Sequence, residues 1–339
     1  MNDIDFVIPW VDGSDPVWRK SYEQFAQLED RDLNPDNIRF RDWGLLRFWF
    51  RGVEKYAPWV RKIHFVTCGQ VPSWLNLDHP KLHFVKHSDY LPARYLPTFS
   101  ANPIELNFHR IDGLAEQFVY FNDDMFLTAP VTPSDFFVKG LPRDYGLRNY
   151  IGHYDSTAYY ELKAVMLINR HLDFYSSYRK NIWKWYNCRY GIHALKNLFF
   201  FRYKDFIGAK VTHLPSPFLK STYLEAWEAC ERVLEETSLR KFRDVRDVNQ
   251  WFLKFWQLAS GCFFPQHLRY GRLVSIGETE AIKVCLQSKT IKTLCINDTE
   301  GSDYDLQPLI YNIFESCFPE RSCFEKDLCR EPIVTDTKK

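Results

Sequence analysis

The sequence is short of several features, and each shortage removes a class of protein. No stretch of its 339 residues approaches the roughly 18 uninterrupted apolar residues of a membrane span, because even the most aromatic region is broken by Lys and Arg. Met1-Asn2-Asp3-Ile4-Asp5 carries neither a basic region nor an apolar run, so no secretory signal is expected and the default compartment is the cytoplasm. The nine cysteines are odd in number and form no Cys-x-x-Cys pair, which speaks for reduced thiols over a disulfide framework or a zinc site. Cys317, Cys323 and Cys329 are evenly spaced, but no His falls among them and the spacing fits no common zinc pattern. Internal repeats and low-complexity segments are missing too. Net charge is almost absent, with 44 Lys+Arg against 43 Asp+Glu.

What is there is a globular composition, 45% hydrophobic and 17% aromatic, enough for a large core in two domains or in one elaborated α/β domain. The near-zero charge is a cancellation. Residues 163–220 hold eleven Lys/Arg against only Asp173 and Asp205, a local balance of +9 that leaves −8 for the rest.

Ile4-Asp5-Phe6-Val7-Ile8 reads as a short buried strand ending at Pro9, followed by the turn-rich Trp10-Val11-Asp12-Gly13-Ser14-Asp15-Pro16. Over 42–56, Leu45, Leu46, Trp49 and Val53 recur at helical spacing, and 62–67 and 81–85 read as strands. Asn102-Pro103-Ile104-Glu105 looks like a helix start with Asn102 as N-cap, burying Ile104, Phe108, Ile111 and Leu114 and turning Glu105, His109 and Asp112 to the other face. The strand 118–121 ends in Asn122-Asp123-Asp124. Helices are expected from Ser221 to about Thr237, from Asp247 to Gly261 and from Leu306 to Phe318, with a strand over 291–296 ending in Asn297-Asp298. This alternation predicts an α/β fold, a mostly parallel sheet with helices on both faces, whose ligands bind at the carboxyl ends of strands. The expected core is 1–137 plus 206–320, interrupted by a basic, aromatic, mainly helical insertion at 138–205 and followed by a tail at 321–339.

Paired acids at a strand end are how an α/β transferase holds a divalent metal on a diphosphate, since carboxylate oxygens suit Mg²⁺ or Mn²⁺. Asp123-Asp124 is such a pair, and Asn297-Asp298 repeats the arrangement; a bare Asp-Asp is also a common turn. Arg39, Arg41, Arg47 and Arg51 have the chemistry to clamp phosphates, although charges along a helix are more often a solvated face. His213, in the stiff Thr212-His213-Leu214-Pro215-Ser216-Pro217, is placed to meet a reacting hydroxyl or is simply a surface residue.

The block Ile4–Pro16 resembles the first motif of the Stealth family, sugar-1-phosphate transferases of bacterial capsule synthesis related to the catalytic subunit of the lysosomal-enzyme N-acetylglucosamine-1-phosphotransferase. Arg39-Phe40, Leu46-Arg47, Arg51, Ala57-Pro58-Trp59-Val60-Arg61, Val66-Thr67, Gly69-Gln70, Leu96-Pro97-Thr98-Phe99-Ser100, Ile104-Glu105, His109-Arg110-Ile111 and Tyr120-Phe121-Asn122-Asp123-Asp124 resemble the second. Thr212-His213-Leu214-Pro215 with Phe242-Arg243 is similar to the third, and Cys295-Ile296-Asn297-Asp298 with Phe314-Glu315-Ser316 to the fourth. Two positions depart from the pattern: Asn107 stands where relatives often carry a His, leaving His109 the better candidate, and Trp43-Gly44 replaces more polar residues.

The resemblance implies a nucleotide-sugar-binding core that transfers a sugar-1-phosphate from a UDP-sugar to a hydroxyl of a glycan or lipid-linked oligosaccharide, releasing UMP. It assigns Asp123, Asp124 and Asp298 to Mg²⁺ or Mn²⁺, with His213, Arg243, Asp298 and Asp124 catalytic. Substrate contacts are expected from Trp10, Asp12, Gly13, Ser14, Asp15, Arg39, Arg47, Arg51, Glu105, His109, Asn122 and Asn297. The competing readings are a metal-dependent glycosyltransferase that releases UDP and, more remotely, a carbohydrate- or nucleic-acid-binding module; no nucleic acid is expected as partner. Residues 163–220 are either an aromatic core whose bases face water or a surface for an anionic acceptor or the inner face of the cell membrane. Asn297-Asp298-Thr299 is a glycosylation sequon, and a glycan there would block the site in a secretory lumen, which again favours the cytoplasm.

Overall fold

The computed structural model describes residues 3–30, 38–152, 157–298 and 304–326. Its strands are β1 (Ile4–Pro9), β2 (Ile63–Thr67), β3 (Leu82–Lys86), β4 (Gln117–Tyr120), β5 (Met125–Leu127) and β6 (Phe137–Val138). They continue with β7 (Leu141–Asp144), β8 (Ser216–Leu219), β9 (Phe264–Pro265), β10 (Gly271–Ser275) and β11 (Thr293–Asn297). The main sheet has the order β3-β2-β1-β4-β8, parallel throughout except for β8. A second sheet, β10-β11-β5, and a third, β6-β7-β9, flank it.

Strand β1 lies at the centre of the sheet and is buried on both faces, apolar except for Asp5, whose carboxylate is held by Arg61 and lies 3.0 Å from His64 Nε2. Phe6 and Ile8 share one face with Ile63, Phe65 and Val119 and pack against the Leu46–Tyr56 helix and the Gln307–Cys317 helix. Val7 takes the other face with Val66, Phe118 and Tyr120, against the helices Lys220–Leu239 and Gln250–Ala259. The helical segment between β7 and β8 joins this second core through Ala164, Ile168, Phe174 and Trp185.

Three local differences from the sequence reading have physical causes. The helix expected from Asn102 covers only Ala101–Leu106 and is capped by Ser100, whose side chain accepts the Asn102 N–H. Asn107 ends it by donating its amide back to the Pro103 carbonyl, so the helical phase is lost before His109, which turns inward; Glu105, still within the helix, is buried as well. The helix expected from Asp247 starts at Gln250, capped by Asn249, because Asp247 is engaged by Asn102 and Arg240. Through Lys326 the segment expected to be a tail is part of the fold: Phe324 is buried against Phe50 and Glu325 is bound by Arg51. Thr299 of the sequon and Cys329 lie outside the described residues.

Candidate active site

The parallel order aligns the carboxyl ends of β2, β1 and β4, and with them Gln70, the Asp12 loop and Asn122-Asp123-Asp124. Because β8 runs the opposite way and pairs Ser216 with Tyr120, the loop that enters it brings His213 back to the end of β4. There the Asn122 amide nitrogen lies 2.9 Å from His213 Nε2. Strand β5 turns the chain against β11, pairing Met125 with Cys295 and placing the Ile296 N–H 2.9 Å from the Asp124 carbonyl. Cys295 Sγ is thereby 3.3 Å from His213 Nδ1 and 3.4 Å from Asp124 Oδ2, and His213 Nδ1 is 3.8 Å from the same carboxyl. Asn297 closes β11 opposite Ser275 and delivers Asp298 at the strand end. The Trp43 indole N–H donates to Asp298 Oδ2 at 2.9 Å, and Arg41 stands 3.5 Å away.

The electrostatics here are those of carboxylates short of a counter-charge. Asp124 is pushed up by burial, against the pull of His213 and the Cys295 thiol. Enclosure by the recess, then the charges of Asp124 and Asp42, push the Asp123 carboxyl up to about 8. The Asp123 side chain is nonetheless exposed by area, so water tempers the first of these causes and repulsion among the acids carries more of the effect. Asp42 is raised in turn, by burial and by Asp12. One oxygen each of Asp124 and Asp298, their Oδ1 atoms, is buried without a hydrogen-bond partner. Orphaned carboxylate oxygens at adjoining strand ends fit an oxygen-seeking divalent cation. Asp124, His213 and Cys295 also offer ligand atoms that all lie within 4.8 Å of one another. Burial and Asp124 hold the Cys295 thiol well above its usual range, so it is a neutral donor toward Asp124, and oxygen ligation is the better match.

Beside this recess a cleft of about 500 Å³ is lined by Trp10, Asp12, Asp42, Gly44, Gln70 and Trp74. Gln70 ties its wall together by accepting the Asp12 N–H and donating to the Asp12 carbonyl and to Asp15 Oδ2, each at 2.9 Å. Asp15 also caps the Pro16–Leu28 helix, and Ser14 donates its hydroxyl and N–H to Asp12. At Gly13 a Cβ would sit 2.3 Å from the Phe40 carbonyl, so only glycine allows the loop to pass there.

Conserved region 1 of the Stealth proteins matches residues 2–27, and conserved region 2 matches 39–143. The chain is 40% identical over 328 residues to the capsular polysaccharide phosphotransferase WcwK of Streptococcus pneumoniae, covering 96% of this chain and 100% of that one. The receptor polysaccharide phosphotransferase WefC of Streptococcus oralis is 39% identical, covering 96% and 100%. The exopolysaccharide phosphotransferase cps2G of Lactiplantibacillus plantarum is 36% identical, covering 96% of each. The chain belongs to the Stealth family.

Within this Stealth chain the expected site residues divide into three groups. Asp123, Asp124, Asp298, Asn297, Asn122 and His213 meet at the recess, and Trp10, Asp12, Gly13, Ser14 and Asp15 form the neighbouring loop. Glu105 reaches the recess from behind, with Tyr120 Oη 2.6 Å from its Oε1; the same hydroxyl also meets Asn122 Oδ1. The charge of Arg243 acts on Glu105 and, together with that of Arg39, on Tyr160. Arg47 lies against Trp74 on the cleft wall. Two expectations are corrected. Arg51 is only 5% exposed and its guanidinium is taken up by Glu315, Glu325 and the Phe318 carbonyl, so it anchors the C-terminal segment and is closed to phosphate. His109 is packed between Tyr223 and Trp227, and burial pushes it down to about 3, a neutral ring of the core.

Sequence reasoning missed Cys295, Tyr120, Trp43, Asp42 and Gln70 as members of the site. The Trp43 departure from the family pattern is the indole that holds Asp298. Cys295, Tyr120 and Gln70 stand inside the motif blocks, where their neighbours were the signal.

Proposed function

We propose that this chain transfers a sugar-1-phosphate from a UDP-sugar to a hydroxyl of a growing surface polysaccharide. The relatives named as polysaccharide phosphotransferases support the reaction class. The observation that carries the reading is His213 fixed by Asn122 beside an under-neutralised group of strand-end carboxylates, next to a cleft large enough for a nucleotide. Phosphoryl transfer is mostly positioning and charge stabilisation, which suits such a site. Asp124 and Asp298, with Asp123 beside them, would hold Mg²⁺ or Mn²⁺, which supplies positive charge to the diphosphate. The Asp12–Asp15 loop with Trp10 and Gln70 holds the nucleotide, and Arg243 meets the transferring phosphate. The acceptor oxygen bonds to the β-phosphorus, the bond from that phosphorus to the bridging oxygen breaks, and UMP leaves with the electron pair.

The hydroxyl proton goes to His213, and the hydrogen-bond chain decides through which nitrogen. Nε2 is tied to Asn122, which leaves Nδ1, on the Asp124 side, as the working atom. As placed, the Asn122 amide nitrogen faces Nε2 and its oxygen faces Tyr120; Nδ1 has a free lone pair only when that amide is turned over, so that Nε2 carries the proton and donates it to the Asn122 oxygen. The Asn122 amide then donates to Tyr120, and the Tyr120 hydroxyl to an ionised Glu105. Burial raises Glu105 overall and Tyr120 and Arg243 offset this only in part, so an ionised Glu105 in this arrangement depends on the charge of Arg243 and the Tyr120 hydroxyl. Glu105 and Tyr120 thereby act as positioning residues that select the tautomer of His213.

The test is to incubate the protein with a panel of UDP-sugars, glycan or lipid-linked acceptor and Mg²⁺ or Mn²⁺, and to analyse both products. UMP together with phosphorus retained in the glycan is the expected result. UDP with no phosphodiester would establish glycosyl transfer instead.

A further inference from the structure

We infer that the surface built by residues 182–204 docks on a bilayer containing anionic phospholipid. The inference is independent of the reaction proposed above. Among the described residues no helix is long and apolar enough to cross a membrane, so the contact is with the bilayer surface. Trp183, Ile192, Leu195, Leu198, Phe199 and Phe201 are all exposed on this one segment, Ile192 by 80% and Phe199 by 81%. Single apolar side chains in water are ordinary, but this density is not. The segment holds no acid, and Lys196, Arg202 and Lys204 stand exposed among the apolar tips. Lys184 is not one of them, being buried with its ammonium on the Gly261 carbonyl.

The backbone beneath explains why the rings face outward. Arg148, 1% exposed and set against the rings of Phe174 and Tyr178, donates to the carbonyls of Phe200, Tyr203 and Asp205. The fully buried Asn197 donates to the carbonyls of Gly146 and Trp185 and accepts the Arg148 N–H. The carbonyls of Phe200, Tyr203 and Asp205 are thus satisfied on the protein side while apolar side chains project to the outside. That is the arrangement a membrane interface demands, where aromatic and aliphatic tips enter the headgroup boundary and bases meet lipid phosphates. An anionic glycan would answer the bases, but Ile192, Leu195 and Leu198 offer nothing to a hydroxyl-covered polymer.

Sedimentation of the full chain with vesicles of phosphatidylcholine, alone or mixed with phosphatidylglycerol, tests this. Binding to the mixed vesicles that weakens with salt is expected. Arg202→Glu/Lys204→Glu should lower the partition coefficient about fivefold or more per base, and Phe199→Ser/Phe201→Ser should abolish binding. These side chains are exposed, so both variants should keep the parental Tm. Should the Phe pair lower Tm, the charge variant and quenching of Trp183 by brominated lipid, absent in Trp183→Phe, decide instead. The inference is overturned if the protein stays in the supernatant at low salt, if the charge variant binds as well as the parent, or if acidic polysaccharide is retained and vesicles are not.

Discussion

The strand-end recess and the segment 182–204 handle polar groups in opposite ways. At the ends of β4 and β11 the fold encloses acids and leaves the Oδ1 atoms of Asp124 and Asp298 without partners. Across 182–204 it turns backbone carbonyls inward onto Arg148 and leaves rings in water. Each arrangement is unfavourable in isolation, because an unpaired buried acceptor forfeits about 1–3 kcal/mol and exposed rings forfeit the gain of burial. Each deficit also specifies what would relieve it, a cation in the first case and an anionic, partly apolar layer in the second. The near-zero net charge conceals this unevenness, a balance of +9 over residues 163–220 against −8 elsewhere.

The largest expected effect falls on the recess. His213→Ala and Asp124→Asn should each lower kcat by about 10²–10⁴ with the fold intact, measured as UMP release beside a thermal melt. Near-parental turnover in either would mean that the chemistry lies elsewhere and that the unpaired oxygens have another cause. Arg51 and Arg41 sharpen the contrast between acids that are paired and acids that are not. Arg51→Ala strands Glu325, whose carboxyl the arginine helps hold below its usual range, and should cost about 3–5 kcal/mol of stability with donor KM unchanged in the folded fraction. Arg41→Ala removes a partly exposed guanidinium at the rim, beside Asp298 and over the rings of Trp43 and Tyr304, and should raise donor KM with little change in Tm. A reversal of these two results would return Arg51 to the substrate. Tyr120→Phe comes next: it removes the hydroxyl between Glu105 and Asn122, and loss of the tautomer bias should lower kcat about tenfold, the equivalent of one hydrogen bond, at unchanged KM. A shift in KM alone would give Tyr120 a binding role.

Much of this frame was legible in the sequence because it rests on local pattern. Strands β1 to β4 are short apolar runs bounded by Gly, Pro or turn residues, and their order in an α/β alternation already put Asp12 and Asp123 at carboxyl ends. Strand β5 was not legible, since Met125-Phe126-Leu127 is too short for any period, yet its pairing with β11 is what carries Cys295 to Asp124. The inward turn of His109 follows the end of the helix at Asn107, whose side chain bonds back to Pro103, and a helical wheel has no means to register that. Arg51 and Arg41 are indistinguishable by spacing; only Glu315 and Glu325, more than 260 residues later, separate the anchor from the rim.

The smallest effect is a pH dependence that isolates the acids themselves. With its folded carboxyl raised to about 8 above an ordinary value of 3.8, Asp123 retains in the folded protein a proton that the unfolded chain gives up. The folded state therefore binds more protons between those values, so stability is full below about pH 4 and declines as pH rises toward about 8. Water reaching this exposed side chain reduces the effect to about 1 kcal/mol, or on the order of 2 °C in Tm for a chain of this length. Metal-free protein should thus melt lower at pH 8 than at pH 6, Asp123→Asn should remove most of the difference, and Mg²⁺ should offset it in the parent by taking the place of the proton. A melt that is flat across this range in the parent would mean that the recess carboxylates are already neutralised by groups of the chain itself, and the contrast with residues 182–204 would then rest on that segment alone.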